Sequence, residues 1–404
     1  MRTRLPRLSA VVTAVTLLAL GTAAIDAGQG AGQGQAPAAG QPGPRPGAVM
    51  RRPGDGRTPE FPEPTITQYR PRTTLKAGQH PVPRAKFPVI DIHSHQPTPI
   101  SEAQFATVVQ GMDAVNLRLL VNASGAQGDR LVRAVAALAA SRFKGRMVQF
   151  TDIDFRNVGP GWSAKAVAQL EADVKAGALG IGEISKAFGL RFKKADGTRL
   201  RIDDPDLDPV WTAAGRLGVP VLIHTAEPQE FFEPIDYQNE RWLELALYRD
   251  RRYPAGEFPR FEELIAERNR MFKKHPKTVF IAAHFAYHAN DLARMGQLFD
   301  EMPNVYTEVG AILAELGRQP RAAREFFIKY QDRILFGKDS FQPDEFPYFW
   351  RVFETSDEYF DYYRDYHAFW KLYGMGLPDE VLKKLYYKNA LRLIPGLPKE
   401  GWPQ

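Results

Sequence analysis

Two histidines, His93 and His95, lie two residues apart at the end of the apolar segment VIDIHSH. Because side chains alternate faces along a β-strand, both imidazoles are expected on one side of a strand, together with Asp91. Neutral imidazole and carboxylate oxygen are the usual ligands of Zn²⁺ and also suit Mn²⁺ or Fe²⁺. The spacing therefore predicts that the pair binds one divalent ion. Asp91 would either orient one of the rings or serve as a buried structural carboxylate.

Four further polar residues each come at the end of a later apolar segment: Glu183 in GIGEIS, His224 in LIHT, His284 in AAHF and Asp339 in LFGKDS. If these segments are parallel strands of a barrel, their carboxyl ends meet at one rim, where such barrels carry their active sites. The six residues therefore predict a centre for one or two divalent ions, with Zn²⁺ as the first choice and Mn²⁺ or Fe²⁺ as alternatives. A bound metal makes water acidic, and a nearby carboxylate such as Asp339 can accept and return the proton.

Other residues near these strand ends are expected to contact substrate or to support the ligands. Glu183 is either a ligand or a buried carboxylate paired with Lys186, and Lys186 would itself bridge two metals if it were carboxylated. Lys338, which precedes Asp339, either binds a substrate carboxylate or forms an ion pair at the rim. The remaining members of this set are two residues of the loop after the strand-six histidine and one at the end of strand seven: Tyr287, His288 and Glu308.

The elements that must position these side chains follow a regular alternation. From residue 87 onward, short apolar segments alternate with amphipathic segments, and the pair occurs eight times. Short apolar strands are typical of sheets that are buried on both faces. Eight strand–helix pairs in about three hundred residues favour a (β/α)₈ TIM barrel over an open doubly wound sheet. We assign the barrel to residues 85–396 and a C-terminal tail to residues 397–404.

The N-terminal part of the chain has a different composition. Residues 1–27 combine a basic start, an apolar stretch and small residues, which predicts a secretory signal peptide and a periplasmic or secreted protein, with an uncleaved membrane anchor as the alternative. Residues 28–84 are rich in Gly, Pro and Ala, and we expect a disordered linker that ends in an extended arm. The chain has no cysteine, so thiolate metal sites and disulfides are excluded.

Composition also limits the partners. The formal net charge of +6 is modest, and no basic stripe with interleaved aromatic residues indicates nucleic-acid binding. We expect a small-molecule substrate and no stable membrane insertion once the signal peptide is cleaved. An insert at residues 227–258 follows the strand-five histidine and is expected to overhang the metal and shape the pocket. The aromatic segment at residues 346–374 is expected to pack on the barrel, with a homo-oligomer contact as the alternative.

The order of the ligand candidates resembles that of the amidohydrolase superfamily of metal-dependent barrels. The segments VIDIHSH, ILFGKDS and VLKKLYYKNALRLI are most similar to the amidohydrolase-related branch that includes aminocarboxymuconate semialdehyde decarboxylase. This resemblance covers residues 87–395. It implies that His93, His95 and His224 bind one metal and that Asp339 is both ligand and proton shuttle. It implies that His284 either binds a second metal or polarises the substrate.

Two residues depart from the pattern of these relatives: Lys338 stands before Asp339 where they often have a small residue, and Glu183 differs from the decarboxylases. Glu183 resembles instead the strand-four glutamate of TatD-type nucleases, which bridges two metals. We therefore expect a hydrolase in which metal-activated water cleaves an amide, an ester or a lactone. A mononuclear decarboxylase or C–C lyase is the alternative. A catalytically dead binding barrel is less favoured, because such a barrel has no reason to keep every type of ligand.

Overall fold

The computed structural model describes residues 61–62, 64–367 and 369–403. The predicted signal peptide and residues 28–60 of the predicted linker lie outside the described residues. The chain divides into two compact units, Met1–Thr73 and Thr74–Gln404. In the first unit the described residues include a turn in which the backbone N–H of Thr65 donates to the side chain of Gln68 at 3.0 Å.

The second unit contains a sheet of eight parallel strands that pair in chain order. The strands are β1 (Val89–Ser94), β2 (Leu117–Ala126), β3 (Met147–Thr151), β4 (Ile181–Ile184), β5 (Val221–Ile223), β6 (Phe280–Ala282), β7 (Val305–Glu308) and β8 (Ile334–Leu335). The helices from the first strand to the last are α1 (Glu102–Val115), α2 (Asp129–Ala140), α3 (Trp162–Lys175), α4 (Asp208–Leu217), α5 (Trp242–Leu247), α6 (Phe261–Lys274), α7 (Leu292–Glu301), α8 (Leu313–Gly317) and α9 (Pro320–Lys329). The arrangement is a nearly closed (β/α)₈ barrel, which confirms the predicted fold.

Contacts between the last strand and the first bring the two edges of the sheet together. The backbone N–H of Ile92 donates to the carbonyl of Phe336 at 3.0 Å, and the N–H of Asp339 donates to the carbonyl of His93 at 2.7 Å. A parallel bridge also joins Ser94 to Asp339. This closure places the residue after β8 directly beside the histidine pair of β1.

The first helix begins and ends at residues whose chemistry suits those positions. Ser101 precedes α1, and the backbone N–H of Gln104 donates to its hydroxyl at 3.3 Å. In return, the N–H of Ser101 donates to the side chain of Gln104 at 3.1 Å, which completes a capping box. The helix ends at Asn116 in the left-handed conformation, with φ of 68°. Among the helices of the described residues, none is both long and apolar enough to cross a membrane.

The chain after β8 forms α10 (Phe346–Glu354), the short strands β9 (Phe360–Asp361) and β10 (Lys371–Leu372), α11 (Asp379–Lys383), a π-helical turn (Lys384–Lys388) and α12 (Asn389–Leu393). Its aromatic side chains pack on the barrel. Trp350 of α10 is fully buried, with its ring 4.9 Å from that of Phe336 and 5.3 Å from that of Tyr386. Most of this segment therefore serves the core, as its composition predicts.

Candidate metal centre

His93 in β1 and His95 directly after it turn their rings to the same side, and the two ring centroids lie 5.2 Å apart. His93 is fully buried, whereas the side chain of His95 is 35 % exposed. The Nδ1 of His93 lies 3.2 Å from a carboxylate oxygen of Glu308, and the Nδ1 of His95 lies 3.2 Å from the hydroxyl of Ser124. Both rings thereby turn Nε2 toward the same small volume.

The carboxylate of Glu183, at the end of β4, lies in the middle of this volume. Its Oε1 is 2.7 Å from Nδ1 of His224, 3.4 Å from Nε2 of His93 and 3.5 Å from Nε2 of His284. Its Oε2 is 3.2 Å from Nε2 of His95. Glu183 thus contacts imidazoles that come from β1 and from the ends of β5 and β6, an arrangement suited to a carboxylate shared between metal ions.

Asp339 reaches the same volume from the end of β8. Its Oδ1 lies 3.4 Å from Nε2 of His95 and 3.9 Å from Nε2 of His93. The residue adopts a left-handed backbone conformation, with φ of 80°. Its side chain is 38 % exposed, so it is the most accessible carboxylate of the cluster and can meet a bound molecule.

Hydrogen bonds on the far side of two rings fix which nitrogen faces the cluster. The Nδ1 of His284 lies 3.0 Å from the carbonyl of Gly310, which can only accept, so Nδ1 carries the proton and Nε2 keeps its lone pair. The same argument applies to His93, whose Nδ1 donates to the carboxylate of Glu308. The Nε2 of His93 is buried and has no hydrogen-bond partner.

The third ring, that of His224, is oriented by residues outside the cluster. The hydroxyl of Tyr287 donates to Oε2 of Glu227 at 3.0 Å and lies 2.7 Å from Nε2 of His224. Since its proton is engaged with Glu227, the tyrosine oxygen accepts from Nε2, which leaves Nδ1 facing Glu183, where it can bind a metal once it has given up its proton. Partners of this kind orient the histidine ligands of metals.

The electrostatics of the cluster favour a cation at its centre. Burial raises the pKa of Glu183, but the charges of His93 and His224 and hydrogen bonds from the rings hold it well below its ordinary value. Burial lowers the pKa of His224, yet the charge and hydrogen bond of Glu183, with a hydrogen bond to Glu227, raise it to about 10. The carboxylates thus draw protons onto the imidazoles, and a divalent ion can take the place of those protons.

A metal ion fits these residues. Donor atoms of His93, His95 and Asp339 lie within 4.8 Å of one another, and so do donor atoms of His93, Glu183 and His284. The Nε2 of His93 gives independent support for a metal ion, because it is buried and has no hydrogen-bond partner. Burial of such a nitrogen costs free energy unless a ligand or an ion binds to it. Nitrogen and carboxylate oxygen without sulfur suit Zn²⁺, Mn²⁺ or Fe²⁺.

The segment that carries His284 has an unusual backbone. His284, Phe285, Ala286 and Tyr287 all have φ between 54° and 56°, which makes one left-handed turn of four non-glycine residues. Such a conformation costs roughly 1–2 kcal/mol per residue. The fully buried guanidinium of Arg268, in α6, donates to the carbonyl of Ala286 at 2.9 Å and stabilises the turn. The turn brings His284 and Tyr287 to the cluster from neighbouring positions in the chain.

Three of the predicted supporting residues lie beside the cluster. Glu308 is fully buried, and its Oε1 accepts from both Nδ1 of His93 and the backbone N–H of His284. Tyr287 contacts His224 and also lines the pocket beside the cluster, where a substrate contact was expected. Asp91 accepts the backbone N–H groups of His93 at 3.0 Å and Lys338 at 3.1 Å, so it supports the backbone rather than an imidazole ring.

The other three make contacts outside the cluster, and for Lys338 the contact is one of its two predicted roles. Lys186 forms an ion pair with Glu227 at 3.1 Å, so Glu183 is not its partner. Lys338 is buried, and its Nζ donates to the carbonyl of Ser340 at 2.8 Å and forms an ion pair with Glu345. Of its two predicted roles, this is the ion pair at the rim. His288 does not line the pocket, because its ring is buried near Arg268. Burial and the charge of Arg268 lower the pKa of His288 to about 2.

Sequence reasoning missed two residues of the site. Glu227 is buried and contacts Tyr287, His224 and Lys186. Its position three residues after His224, in HTAEP, indicates that it lies near the strand-five histidine, but the composition of the chain places it at the start of the insert. Ser124 lies near the end of β2, and a serine in an apolar strand gave no indication that it faces a histidine ring.

A pocket of about 300 Å³ opens beside the cluster. Its walls include His224, His284 and Asp339, so a molecule in the pocket meets the cluster directly. Residues of the predicted insert and of the chain after α10 form much of the remaining wall: Glu227, Glu230, Arg241, Glu244, Arg251, Arg364, Tyr366 and His367. The insert therefore shapes the pocket, as expected from its position after β5.

Comparison with known proteins identifies a family match. A family model described as amidohydrolase matches residues 83–396. No curated protein matches the chain. Similar solved structures include a dihydroxybenzoic acid decarboxylase with bound manganese from a Polaromonas species, at 14 % identity and a TM-score of 0.45, covering 76 % of this chain and 96 % of that one.

Two further solved structures are similar to the chain. One is 5-carboxyvanillate decarboxylase from Sphingomonas paucimobilis, at 15 % identity and a TM-score of 0.45, covering 76 % of this chain and 99 % of that one. The other is 4-oxalomesaconate hydratase from Rhodopseudomonas palustris, at 15 % identity and a TM-score of 0.44, covering 76 % of this chain and 95 % of that one.

Proposed function

This chain belongs to the amidohydrolase family, and from that premise we propose that it is a metal-dependent hydrolase of a small-molecule amide, ester or lactone. The observation that carries the proposal is the position of Glu183, whose two carboxylate oxygens lie within 3.5 Å of nitrogens of His93, His95, His224 and His284. A carboxylate so placed is suited to bridge two ions, and paired ions are typical of hydrolytic centres.

The chain offers two groups of metal ligands that share Glu183. His93, His95 and Asp339 would hold one ion, and His224 and His284 would hold the other. Zn²⁺ is our first choice, with Mn²⁺ and Fe²⁺ as alternatives. When bound, the metal supplies Lewis acidity, which polarises a carbonyl group and makes water acidic enough to serve as a nucleophile near neutral pH.

Asp339 is the residue that moves protons in this proposal. Burial raises its pKa, but a hydrogen bond from His95 and the charges of His93 and His284 hold the pKa well below its ordinary value. The carboxylate is therefore ionised at neutral pH and can accept a proton from water. Because Asp339 lines the pocket, it can return that proton to the nitrogen or oxygen of the departing group.

One observation favours a second candidate, a mononuclear decarboxylase or C–C lyase. The donor atoms of His93, His95 and Asp339 lie within 4.8 Å of one another without any contribution from Glu183. A single ion held there would leave His284, which also lines the pocket, available to polarise a substrate. In that enzyme Glu183 would orient the imidazoles instead of binding metal.

The two candidates differ in their products. Protein reconstituted with Zn²⁺ or Mn²⁺ would be tested against amides, esters, lactones and carboxylic acids, with acid release and CO₂ release measured separately. We expect the wild type to release acid. Asp339→Asn should abolish this release although the variant still binds metal, because an amide cannot act as the base. Asp154→Asn is the control, since Asp154 pairs with Arg156 outside the cluster. Release of CO₂ without any hydrolysis would favour the lyase.

We also propose that the chain is exported to the periplasm or beyond through residues 1–27. Sequencing the N-terminus of protein recovered from a bacterial periplasm would test this. Cleavage within about five residues of position 27 is expected, whereas retention of Met1 in cytoplasmic protein would contradict it.

A further inference from the structure

The wall of the pocket contains four cationic side chains, and three of them have carboxylate partners. Lys186 pairs with Glu227 at 3.1 Å, and Arg251 pairs with Glu244 at 2.5 Å. The buried guanidinium of Arg241 pairs with Glu244 at 3.1 Å and with Glu315. These pairs keep the positive charges of the wall balanced within the protein. The fourth cation, Arg364, differs from them.

Within the described parts of the chain, no carboxylate lies within ion-pair distance of Arg364, and its guanidinium donates no hydrogen bond there. The side chain is partly buried, with its guanidinium carbon 5.3 Å from the ring centre of Tyr363. Glu345 acts on it electrostatically, but the carboxylate of Glu345 is already paired with Lys338 at 2.5 Å. A guanidinium withdrawn from water without an anionic partner is costly. Its surroundings therefore favour an anion supplied from outside the protein.

Arg364 and the metal cluster line one pocket, but the guanidinium is not engaged by the cluster. No ion pair within 4.0 Å joins its guanidinium to Asp339, the cluster carboxylate that reaches the pocket from the end of β8. The wall near Arg364 includes Tyr366 and His367, from the segment between β9 and β10. An anion at Arg364 would therefore be separate from the group that meets the cluster.

The charges of the pocket indicate which kind of anion fits. Its walls also carry the carboxylates of Glu227, Glu230, Glu244, Glu315 and Asp339. Three of them, those of Glu227, Glu244 and Glu315, are paired with the other wall cations, so the charge of Arg364 remains to balance the single negative charge of a carboxylate rather than the two of a phosphate monoester. The planar fork of arginine matches the two oxygens of a carboxylate.

We infer that Arg364 binds a carboxylate of the substrate at a point away from the scissile bond, and that the substrate is consequently a carboxylate-bearing amide, ester or lactone. This inference rests on the proposed hydrolytic function for the nature of the bond, and on Arg364 alone for the carboxylate. N-acyl amino acids are compounds of this class, with the acyl bond and the carboxylate separated by one or more carbons.

The test uses matched pairs of N-benzoyl amino acids and their primary amides, built on glycine, β-alanine and γ-aminobutyrate so that the distance to the carboxylate varies. Binding is measured by calorimetry on metal-free protein, which separates recognition from turnover. For at least one spacer the acid should bind roughly ten- to hundredfold more tightly than its amide, the range expected for hydrogen bonds to a charged partner. Hydrolysis is then measured on metal-loaded protein.

Arg364→Met should remove the preference for the acid, while Arg364→Lys should keep part of it. Arg251→Met is the matched control, because Arg251 lines the same pocket but is already paired, and it should leave the preference unchanged. Thermal midpoints would show that each variant is folded. The inference is overturned if wild type binds acids and amides equally, if it binds no acid at millimolar concentration, or if the preference persists in both Arg364 variants. An Arg364-dependent preference without hydrolysis would overturn the proposed function and leave the carboxylate site standing.

Discussion

The orientation of His93 and His284 depends on the single carboxylate of Glu308. Its Oε1 accepts the N–H of the His93 ring at 3.2 Å and the backbone N–H of His284 at 2.6 Å. Its Oε2 accepts the backbone N–H of Gly310, whose carbonyl in turn accepts Nδ1–H of His284. One buried residue thus determines which nitrogen of two rings faces the cluster.

Replacement of this carboxylate by an amide should weaken metal binding. In the wild type both carboxylate oxygens of Glu308 accept N–H groups. In Glu308→Gln the amide N–H₂ must face one of these N–H groups, so at least one donor loses its acceptor. We expect metal affinity to fall roughly 10–100-fold and the free energy of unfolding to fall by about 1–3 kcal/mol. Competition with a chelator and chemical denaturation would measure the two effects.

The control for this change is Glu262→Gln. Glu262 pairs with Arg294 on the surface, where its side chain is 63 % exposed, and the loss of such a pair usually costs less than about 1 kcal/mol. Metal affinity should be the same as in wild type. An unchanged metal affinity in Glu308→Gln would show that the carboxylate does not orient the ligands.

At the scale of elements, the left-handed turn after β6 determines how two residues reach the site. Four consecutive residues from His284 to Tyr287 adopt positive φ, a region that favours glycine. Their neighbours compensate, since Arg268 donates to the turn and Glu308 accepts the N–H of His284. Strain of this kind is found where function requires a particular geometry.

This turn predicts an unusual response to glycine. Ala286→Gly should change the free energy of unfolding by less than about 1 kcal/mol, because relief of roughly 1–2 kcal/mol of left-handed strain offsets about 0.8 kcal/mol of lost methyl burial. Ala213→Gly in α4 is the matched control, as both alanines are almost completely buried. It should cost about 2 kcal/mol, since helix propensity and burial both fall. Equal losses in the two variants, measured by urea denaturation, would contradict the strain argument.

The sequence predicts the elements better than it predicts the side chains around them. Eight alternations of apolar strand and amphipathic helix sufficed for the barrel, because each strand is buried on both faces. The same pattern placed His93 and Asp339 at one rim, although 245 residues separate them in the chain, since strand ends converge. The directions of long side chains could not be read in this way. Lys338 forms an ion pair with Glu345, and Lys186 forms one with Glu227. Long flexible side chains can reach several partners, and the folded surroundings decide which carboxylate is near.

At the scale of the whole molecule, closure of the sheet assembles the centre. The N–H of Asp339 donates to the carbonyl of His93, so the bond that joins the last strand to the first also joins the two ends of the ligand set. Any change that opens this edge should therefore affect metal binding and stability together.

The N-terminal part of the chain gives a prediction at the same scale. A chain that starts at residue 57 should have the same thermal midpoint as a chain that starts at residue 28, because the missing residues carry almost no apolar surface. A chain that starts at residue 84 should lose about 1–3 kcal/mol. It lacks His80, whose backbone N–H donates to Asp357 at 2.6 Å and whose ring contacts the same carboxylate.

Calorimetric scans of both truncated chains beside the chain that starts at residue 28 would decide the matter. Among the described residues, the longer truncation leaves Arg351 as the remaining charged partner of Asp357. A large drop in the midpoint for the shorter truncation would show that residues before 57 stabilise the barrel. An unchanged midpoint for the longer one would show that the contact of His80 contributes little.

The most direct test of the proposed two-metal hydrolytic centre is the number of metal ions per chain. Wild-type protein would be equilibrated with excess Zn²⁺ or Mn²⁺, freed of unbound ions without a chelator, and analysed by elemental mass spectrometry against protein concentration. Because Glu183 is shared by both groups of ligands, we predict about two ions per chain in wild type and close to one in Glu183→Gln. A single ion per chain in wild type under excess metal, unchanged in the variant, would contradict the bridging role of Glu183.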